Sequence, residues 1–115
     1  MASGIINKNK VLLWTNPSPM AGFPAQTLNN IDLSKYDAVL CVFRHGTETD
    51  MYSSTIAEKG ITTVLSAPHL SASGGNFFRY ITPSNSNIVI GQGTKGGYGE
   101  YNTACTPYKI YGITT

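Results

Sequence analysis

Apolar and polar residues alternate along this chain in short runs, and turn-forming residues interrupt the runs about every eight to twelve positions. This spacing is typical of the short strands of a sandwich or barrel, and no segment has the pattern of a good helix. The pattern predicts strands at Lys10–Thr15, Ala25–Leu28, Tyr36–His45, Met51–Glu58, Ile61–Ala67, Phe77–Thr82, Ile88–Ile90 and Pro107–Ile113. We therefore expect an all-β protein, an antiparallel, jelly-roll-like β-sandwich of about eight or nine short strands.

The strand with the strongest pattern, Tyr36–His45, is apolar on both faces. One face carries Val39, Cys41 and Phe43, and the other carries Ala38, Leu40, Val42 and Arg44. A strand of this kind lies centrally in its sheet, because both of its faces need cover. We expect that cover to come from this chain on both sides, or from a partner subunit on one side.

Two glycine-containing segments predict turns. Met51–Glu58 and Ile61–Ala67 flank Lys59-Gly60, which favours a β-hairpin. The run Gly91–Gly99 is rich in glycine, yet Lys95 is followed by glycine and by no helix, so it does not fit a phosphate-binding loop. The run is better explained as the permissive backbone of a long hairpin.

Length and composition limit the remaining possibilities. The 115 residues suit one domain, with residues 1–10 as an N-terminal extension or the start of an excised C-terminal domain, and 11–115 as the sandwich. Only 12% of the residues are charged, and the eight basic side chains are scattered, which disfavours nucleic acid as a partner. No run is long and apolar enough for membrane insertion, and Met1–Lys10 lacks the apolar core of a signal peptide.

The two cysteines, Cys41 and Cys105, are too few for a disulfide framework and lack metal-binding spacing. We expect buried, reduced thiols, and a disulfide is the main alternative. No motif indicates a cofactor.

Residues for catalysis are scarce. The only histidines are His45 and His69, and no serine lies in a nucleophile motif, so we assign no catalytic residue and predict no enzyme. The segment His45–Asp50 lacks the spacing of a calcium loop, and we interpret it as a solvated hairpin tip without a metal site. A glycan-cleaving enzyme stays a minor alternative, and it requires two carboxylates facing each other across a groove from among Glu48, Asp50, Glu58 and Glu100.

Tyrosines and amides are the most informative candidates for binding. Seven tyrosines and one tryptophan are set among Asn, Gln, Ser and Thr, and such side chains suit sugars or flat surfaces. Tyr98, Tyr101 and Asn102 lie on a glycine-flanked loop, where function concentrates, and we predict that they bind ligand. Trp14 is expected to belong to the core.

Four segments resemble the C-terminal domains of tailed-phage and prophage virion fibre proteins, of the tail-fibre, baseplate or head-fibre type. They are Leu13–Pro19 (LWTNPSP), Phe23–Leu28 (FPAQTL), Leu33–Val39 (LSKYDAV) and Pro107–Ile113 (PYKIYGI). The resemblance implies a virion-exposed β-sandwich at a fibre tip, usually a homotrimer, which attaches to the host cell surface, often through saccharides. No collagen-like or heptad shaft precedes Val11, so this domain alone carries trimerisation or the shaft lies outside the chain.

We therefore expect a non-enzymatic fibre-tip domain of the virion, made in the host cytoplasm, whose partners are its own copies, a host surface glycan and other virion proteins. The alternative is a capsid decoration, head-fibre or fibre-assembly domain that binds another virion protein. Lysis releases virion proteins, which fits the lack of a signal peptide and of a disulfide framework.

Overall fold

The computed structural model describes residues 10–46, 49–68, 76–96 and 99–114. Within these ranges the regular structure consists of ten strands and no helix. The strands are β1 (Lys10–Thr15), β2 (Gln26–Asn29), β3 (Ala38–Gly46), β4 (Thr49–Glu58), β5 (Thr63–Pro68), β6 (Asn76–Pro83), β7 (Asn87–Ile90), β8 (Thr94–Lys95), β9 (Gly99–Glu100) and β10 (Thr106–Ile113). Eight of them have four or more residues, whereas β8 and β9 form a two-residue hairpin within the glycine-rich run.

The strands form two antiparallel sheets. The four-stranded sheet has the order β1-β10-β3-β4. In the six-stranded sheet β2, β7, β6, β8 and β9 follow one another, and β5 pairs with β6. The chain passes between the sheets after β1, β2, β4 and β9, which is a jelly-roll-like feature. The predicted all-β antiparallel sandwich is confirmed, and so is the central position of the Tyr36–His45 strand, because β3 lies between β10 and β4.

The hairpin predicted around Lys59-Gly60 is wrong. Strand β4 pairs with β3 in one sheet, and β5 pairs with β6 in the other. The turn carries the chain across the sandwich, with Gly60 N–H donating to the Pro83 carbonyl at 2.8 Å and with φ of +81° at Gly60. A tight turn can join two paired strands of one sheet or carry the chain from one sheet to the other, and its local sequence is the same in both cases. The strands that pair with each side of the turn decide which of the two forms.

The core lies between the two sheets. Inward-facing side chains alternate along β3 and β6 with the period of two that extended strands impose. Fully buried members are Leu33, Val39, Cys41, Phe43, Ala57, Leu65, Phe77, Ile81, Ile88, Ala104, Cys105 and Ile110. Both cysteines are free, as expected, and burial raises the pKa of each thiol to about 12.

The LWTNPSP segment closes one side of this core. Asn16 is buried, its Nδ2 donates to the Pro107 carbonyl at 2.9 Å, and its Oδ1 accepts from the Ser18 N–H at 2.9 Å. Trp14 is half-buried against the core and packs edge-to-face on Phe23, with ring centroids 6.0 Å apart. The role expected for Trp14 is therefore confirmed, and Asn16 joins the loop after β1 to β10.

Candidate functional site

A buried arginine organises the loops at one end of the sandwich. Arg79 lies on β6 at an inward-facing position between Phe77 and Ile81, and its side chain is fully buried. Arginine is almost never buried without partners for its five N–H groups. Its surroundings therefore have to supply several acceptors.

Backbone carbonyls supply all of these acceptors. Nε donates to Ala104 at 3.0 Å and Cys105 at 3.2 Å, Nη1 to Phe23 at 2.8 Å and Gly91 at 2.9 Å, and Nη2 to Asn102 and Ala104 at 2.9 Å each. The loop after β1, the loop after β7 and the turn before β10 thus converge on one guanidinium. Burial lowers the pKa of Arg79 to about 10, so the group stays charged at neutral pH.

This carbonyl cage fixes the backbone of two of the three predicted ligand-binding residues. Tyr101 is half-buried, and its ring stacks on Phe77 with centroids 5.7 Å apart. Asn102 is exposed, and its side-chain oxygen accepts a hydrogen bond from Gln92. Tyr98 lies outside the described residues. Ligand binding by the three stays a prediction, and the structure places Tyr101 and Asn102 side by side on a firmly held turn.

A second candidate surface is the outer face of the four-stranded sheet. A row of apolar side chains crosses all four strands, because Leu12 lies opposite Tyr111, Tyr111 opposite Leu40, and Leu40 opposite Ile56. Directly paired residues project from the same face of an antiparallel sheet. Leu12 is 49% exposed and Ile56 57% exposed, at the two ends of the row. The row therefore covers the whole width of the sheet.

Aromatic and aliphatic side chains widen this row into a patch. Val42 lies beside it on β3, and the rings of Tyr52 and Tyr108 meet with centroids 5.3 Å apart. The ammonium of Lys10 lies 4.4 Å from the ring centroid of Tyr111. We name this patch the apolar face and define it by Leu12, Leu40, Val42, Tyr52, Ile56, Tyr108 and Tyr111. Polar side chains flank the row, because Lys109 and Ser54 are the strand partners of Val42 and the ammonium of Lys109 lies 5.1 Å from the Tyr108 ring centroid. Exposed apolar side chains that cross a whole sheet make this face a candidate interaction site.

The sequence pattern found only part of the apolar face. Leu40 and Val42 were expected on the second face of β3, whereas Leu12 and Ile56 were not singled out. Lys10–Thr15 is an apolar run without alternation, and Ile56 is the only large apolar side chain between Ser53 and Glu58. Only the pairing register brings these side chains into one row.

The turn end of the β3–β4 hairpin brings a histidine and a serine together. The Nε2 atom of His45 and the Oγ atom of Ser53 share a hydrogen bond of 2.6 Å. In the described part of the chain, the buried Nδ1 atom of His45 has no hydrogen-bond partner. A catalytic base needs a group at its second nitrogen that orients the ring. The pair joins two strands, and the described residues supply no third member of a triad.

His45 gives the fold a specific pH dependence. Burial lowers the pKa of His45 below its ordinary value of 6.5, so the unfolded chain takes up this proton first as the pH falls. We expect the free energy of unfolding to decrease from about pH 7 downward, until folded His45 also titrates. Urea unfolding at several pH values measures this slope, and the His45→Asn variant is expected to lose it. Equal slopes in wild type and His45→Asn would contradict the assignment.

Of the carboxylates considered for glycan cleavage, the three in the described part of the chain are dispersed. Asp50 is exposed and lies 3.7 Å from Nε of Arg44, in an ion pair across the hairpin. Glu58 is at the other end of the same strand, about 26 Å away at the rise of an extended chain. Glu100 lies on β9 in the other sheet, and Glu48 lies outside the described residues. Asp50 and Glu58 are thus too far apart to act on one glycosidic bond.

Three further features could indicate a function: a metal site, a membrane-spanning helix and a similar known protein. Among the described residues, no group of three or more His, Cys, Asp or Glu side chains is placed to hold a metal ion. The same part of the chain contains no helix with the length and apolarity that a membrane crossing requires. The chain matches no protein-family model, no curated protein and no solved structure.

Proposed function

We propose that this chain is a non-enzymatic domain of a phage virion fibre, which assembles as a homotrimer at the fibre tip and attaches to saccharide on the host cell surface. The resemblance of four sequence segments to such domains suggests the class. The observation that carries the assembly part of the proposal is the apolar face, which no element of the described chain covers. Burial of such a surface is the main driving force of stable association.

A second copy of the same chain is the occupant that the edges of this sheet favour. Strands β1 and β4 form the two edges of the four-stranded sheet, and each pairs on one side only within the described residues. A second row of paired residues lies next to the apolar row that begins at Leu12 and ends at Ile56. This second row runs from Lys10 on β1, through Ile113 and Ala38, to Glu58 on β4. One edge therefore ends in a positive charge and the other in a negative charge.

These edge charges support a closed ring. If the β1 edge of one copy meets the β4 edge of the next, Lys10 lies near the neighbour's Glu58, and the apolar faces turn toward a common axis. Contacts between unlike edges are heterologous, and they close into rings such as a trimer when the rotation allows. Opposite charges at the rim add specificity of register more than affinity.

The loops held by Arg79 connect strands at one end of the sandwich. Tyr101 and Asn102, with Tyr98 in the same loop, are the predicted contacts to the saccharide. The turn at Tyr101 and Asn102 is held by hydrogen bonds from Arg79 to Asn102 and Ala104, and a turn held in this way loses little conformational entropy when it binds, which supports its use as an attachment surface.

The assembly proposal predicts the mass of the protein in solution. Light scattering after size-exclusion chromatography is expected to give a mass near three times 12.3 kDa. The Ile56→Lys variant is expected to shift the protein to the mass of one chain, because it places a charge in the apolar face. Val64→Lys is the matched control: it changes a β-branched residue, 43% exposed, on the other sheet, and it is expected to leave the trimer intact.

The edge charges give a second, independent test. Lys10→Glu and Glu58→Lys are each expected to weaken the trimer by like-charge repulsion, and the double variant is expected to restore it. A wild-type mass of one chain would contradict the homotrimer. In that case, co-purification of the chain with phage capsids would favour the alternative of a capsid decoration, head-fibre or assembly domain that binds another virion protein.

A further inference from the structure

A small open pocket lies between the loop after β2 and the turn that joins β6 to β7. It has a volume of about 230 Å³, and its lining consists of Asn30, Ile31, Asp32, Asn85 and Ser86. Residues 30–32 follow β2, and residues 85–86 connect β6 to β7. Four polar side chains thus surround one nearly buried isoleucine, which is 9% exposed.

The loops that form this pocket are held together by direct hydrogen bonds. The Ile31 N–H donates to the Ser86 carbonyl at 3.2 Å, and the Leu33 N–H donates to the Asn85 carbonyl at 2.8 Å. The ammonium of Lys59 donates to the Leu33 carbonyl at 3.0 Å and to Oδ1 of Asn85 at 2.8 Å. The pocket is therefore built in advance, and a ligand does not have to order it.

Several polar groups at the pocket are unused. Both hydrogen bonds from Ser34 go to Oδ1 of Asp32, at 2.9 Å from N–H and 2.6 Å from Oγ. Among the described residues, Oδ2 of Asp32, the side-chain amide of Asn30 and the hydroxyl of Ser86 have no hydrogen-bond partner. The Ser34 hydrogen bonds lower the pKa of Asp32, so its carboxylate is ionised at neutral pH. The rim thus offers a strong acceptor, an amide and a hydroxyl side by side.

We propose that this pocket binds one neutral sugar unit of a saccharide, an inference that rests on the proposed attachment function. Adjacent sugar hydroxyls donate to Oδ2 of Asp32, the Asn30 amide donates to a sugar oxygen, and Ile31 packs against the apolar edge of the ring. The ionised carboxylate of Asp32 disfavours an anionic sugar at this rim, and the nearby ammonium groups of Lys35 and Lys59 compensate its charge, which disfavours a bare cation. The volume lies below the range of about 300–1,000 Å³ for drug-sized ligands, so it suits a single ring.

Chemical-shift titration of the 15N-labelled protein tests this assignment. The probes are methyl glycosides of glucose, galactose, N-acetylglucosamine and rhamnose, used up to about 10 mM to detect a Kd near 1 mM. At least one is expected to shift the amides of Asn30–Ser34 and Asn85–Asn87. Asp32→Asn, which retains Oδ1 for the Ser34 turn, and Asn30→Gly, which tolerates the positive φ of 60°, are each expected to weaken binding about tenfold.

Control measurements distinguish sugar binding at this pocket from binding at the predicted loop and from cation binding. Asp50→Asn removes an exposed carboxylate on the four-stranded sheet, outside both candidate saccharide sites, and is expected to leave the affinity unchanged. Shifts at Tyr101 and Asn102 alone would overturn the pocket and keep saccharide attachment by the predicted loop. Shifts at the pocket with calcium chloride, and with no glycoside, would overturn it in favour of a cation site. If the protein has the trimeric mass and no probe shifts any amide, the proposed sugar site at the pocket is wrong, and the assembly role is unaffected.

Discussion

Replacing Arg79 by methionine is expected to lower the free energy of unfolding by about 3–5 kcal/mol. Methionine fills much of the space but donates no hydrogen bond, so the five carbonyls around the buried guanidinium lose their shared donor. Urea unfolding followed by the fluorescence of Trp14 measures the change. Trp14 packs on Phe23, whose carbonyl is one of the five acceptors, so its emission reports on the same region.

Two further variants identify the cause of this loss. Arg79→Lys keeps a charge but not the planar fork of five donors, and it is expected to lose a large part of the same stability. Lys35→Met removes a cation from an exposed loop position and is expected to change stability by less than about 0.5 kcal/mol. A loss below about 1 kcal/mol in Arg79→Met would show that the carbonyl cage does not hold these loops together.

Replacing Gly93 by alanine is expected to cost about 3 kcal/mol, although it adds only one methyl group. The new Cβ would lie 2.5 Å from the Tyr101 carbonyl oxygen, 2.6 Å from Nη2 of Arg79 and 2.9 Å from the Ala104 carbonyl oxygen. Two of these neighbours are backbone and the third is held by its own hydrogen bonds, so none yields cheaply. Thermal unfolding and amide hydrogen exchange of residues 101–105 are the measurements.

Gly91→Ala is the matched control, two residues away in the same loop. Its Cβ would have its nearest contact with the Tyr80 carbonyl oxygen at 3.5 Å, which is ordinary van der Waals distance. We expect a change below about 1 kcal/mol and unaltered exchange. Equal stability of the two variants would contradict the tight packing of the loop on Arg79.

Local patterns predicted the strands, by alternation in the longer strands and by a short apolar run before turn residues in Lys10–Thr15. Val39, Cys41 and Phe43 alternate with less buried residues in β3, and the structure buries that set fully. The inward position of Arg79 also follows from its alternation with Phe77 and Ile81. The hydrogen-bond partners of Arg79 do not follow from the sequence. All five acceptors are main-chain carbonyls, and every residue type carries a main-chain carbonyl.

Some of the candidate binding surfaces can also be predicted from the sequence, and others require the tertiary structure. A glycine-flanked loop with tyrosine and asparagine is visible in the sequence, and so is the second apolar face of β3. The full apolar row from Leu12 to Ile56 requires the register of four strands, and the pocket at Asn30 and Asn85 requires two loops that are distant along the chain. Neither has a local pattern from which it follows.

Residue order along the chain was enough to predict the fold class and the faces of the main strands, because alternation and turn chemistry act between neighbouring residues. Long-range packing was needed to establish that the turn at Lys59-Gly60 crosses between sheets, that Arg79 joins three loops, and which loops enclose the pocket. These features depend on which distant segments pair, and pairing is chosen by the total burial and hydrogen bonding of the whole sandwich.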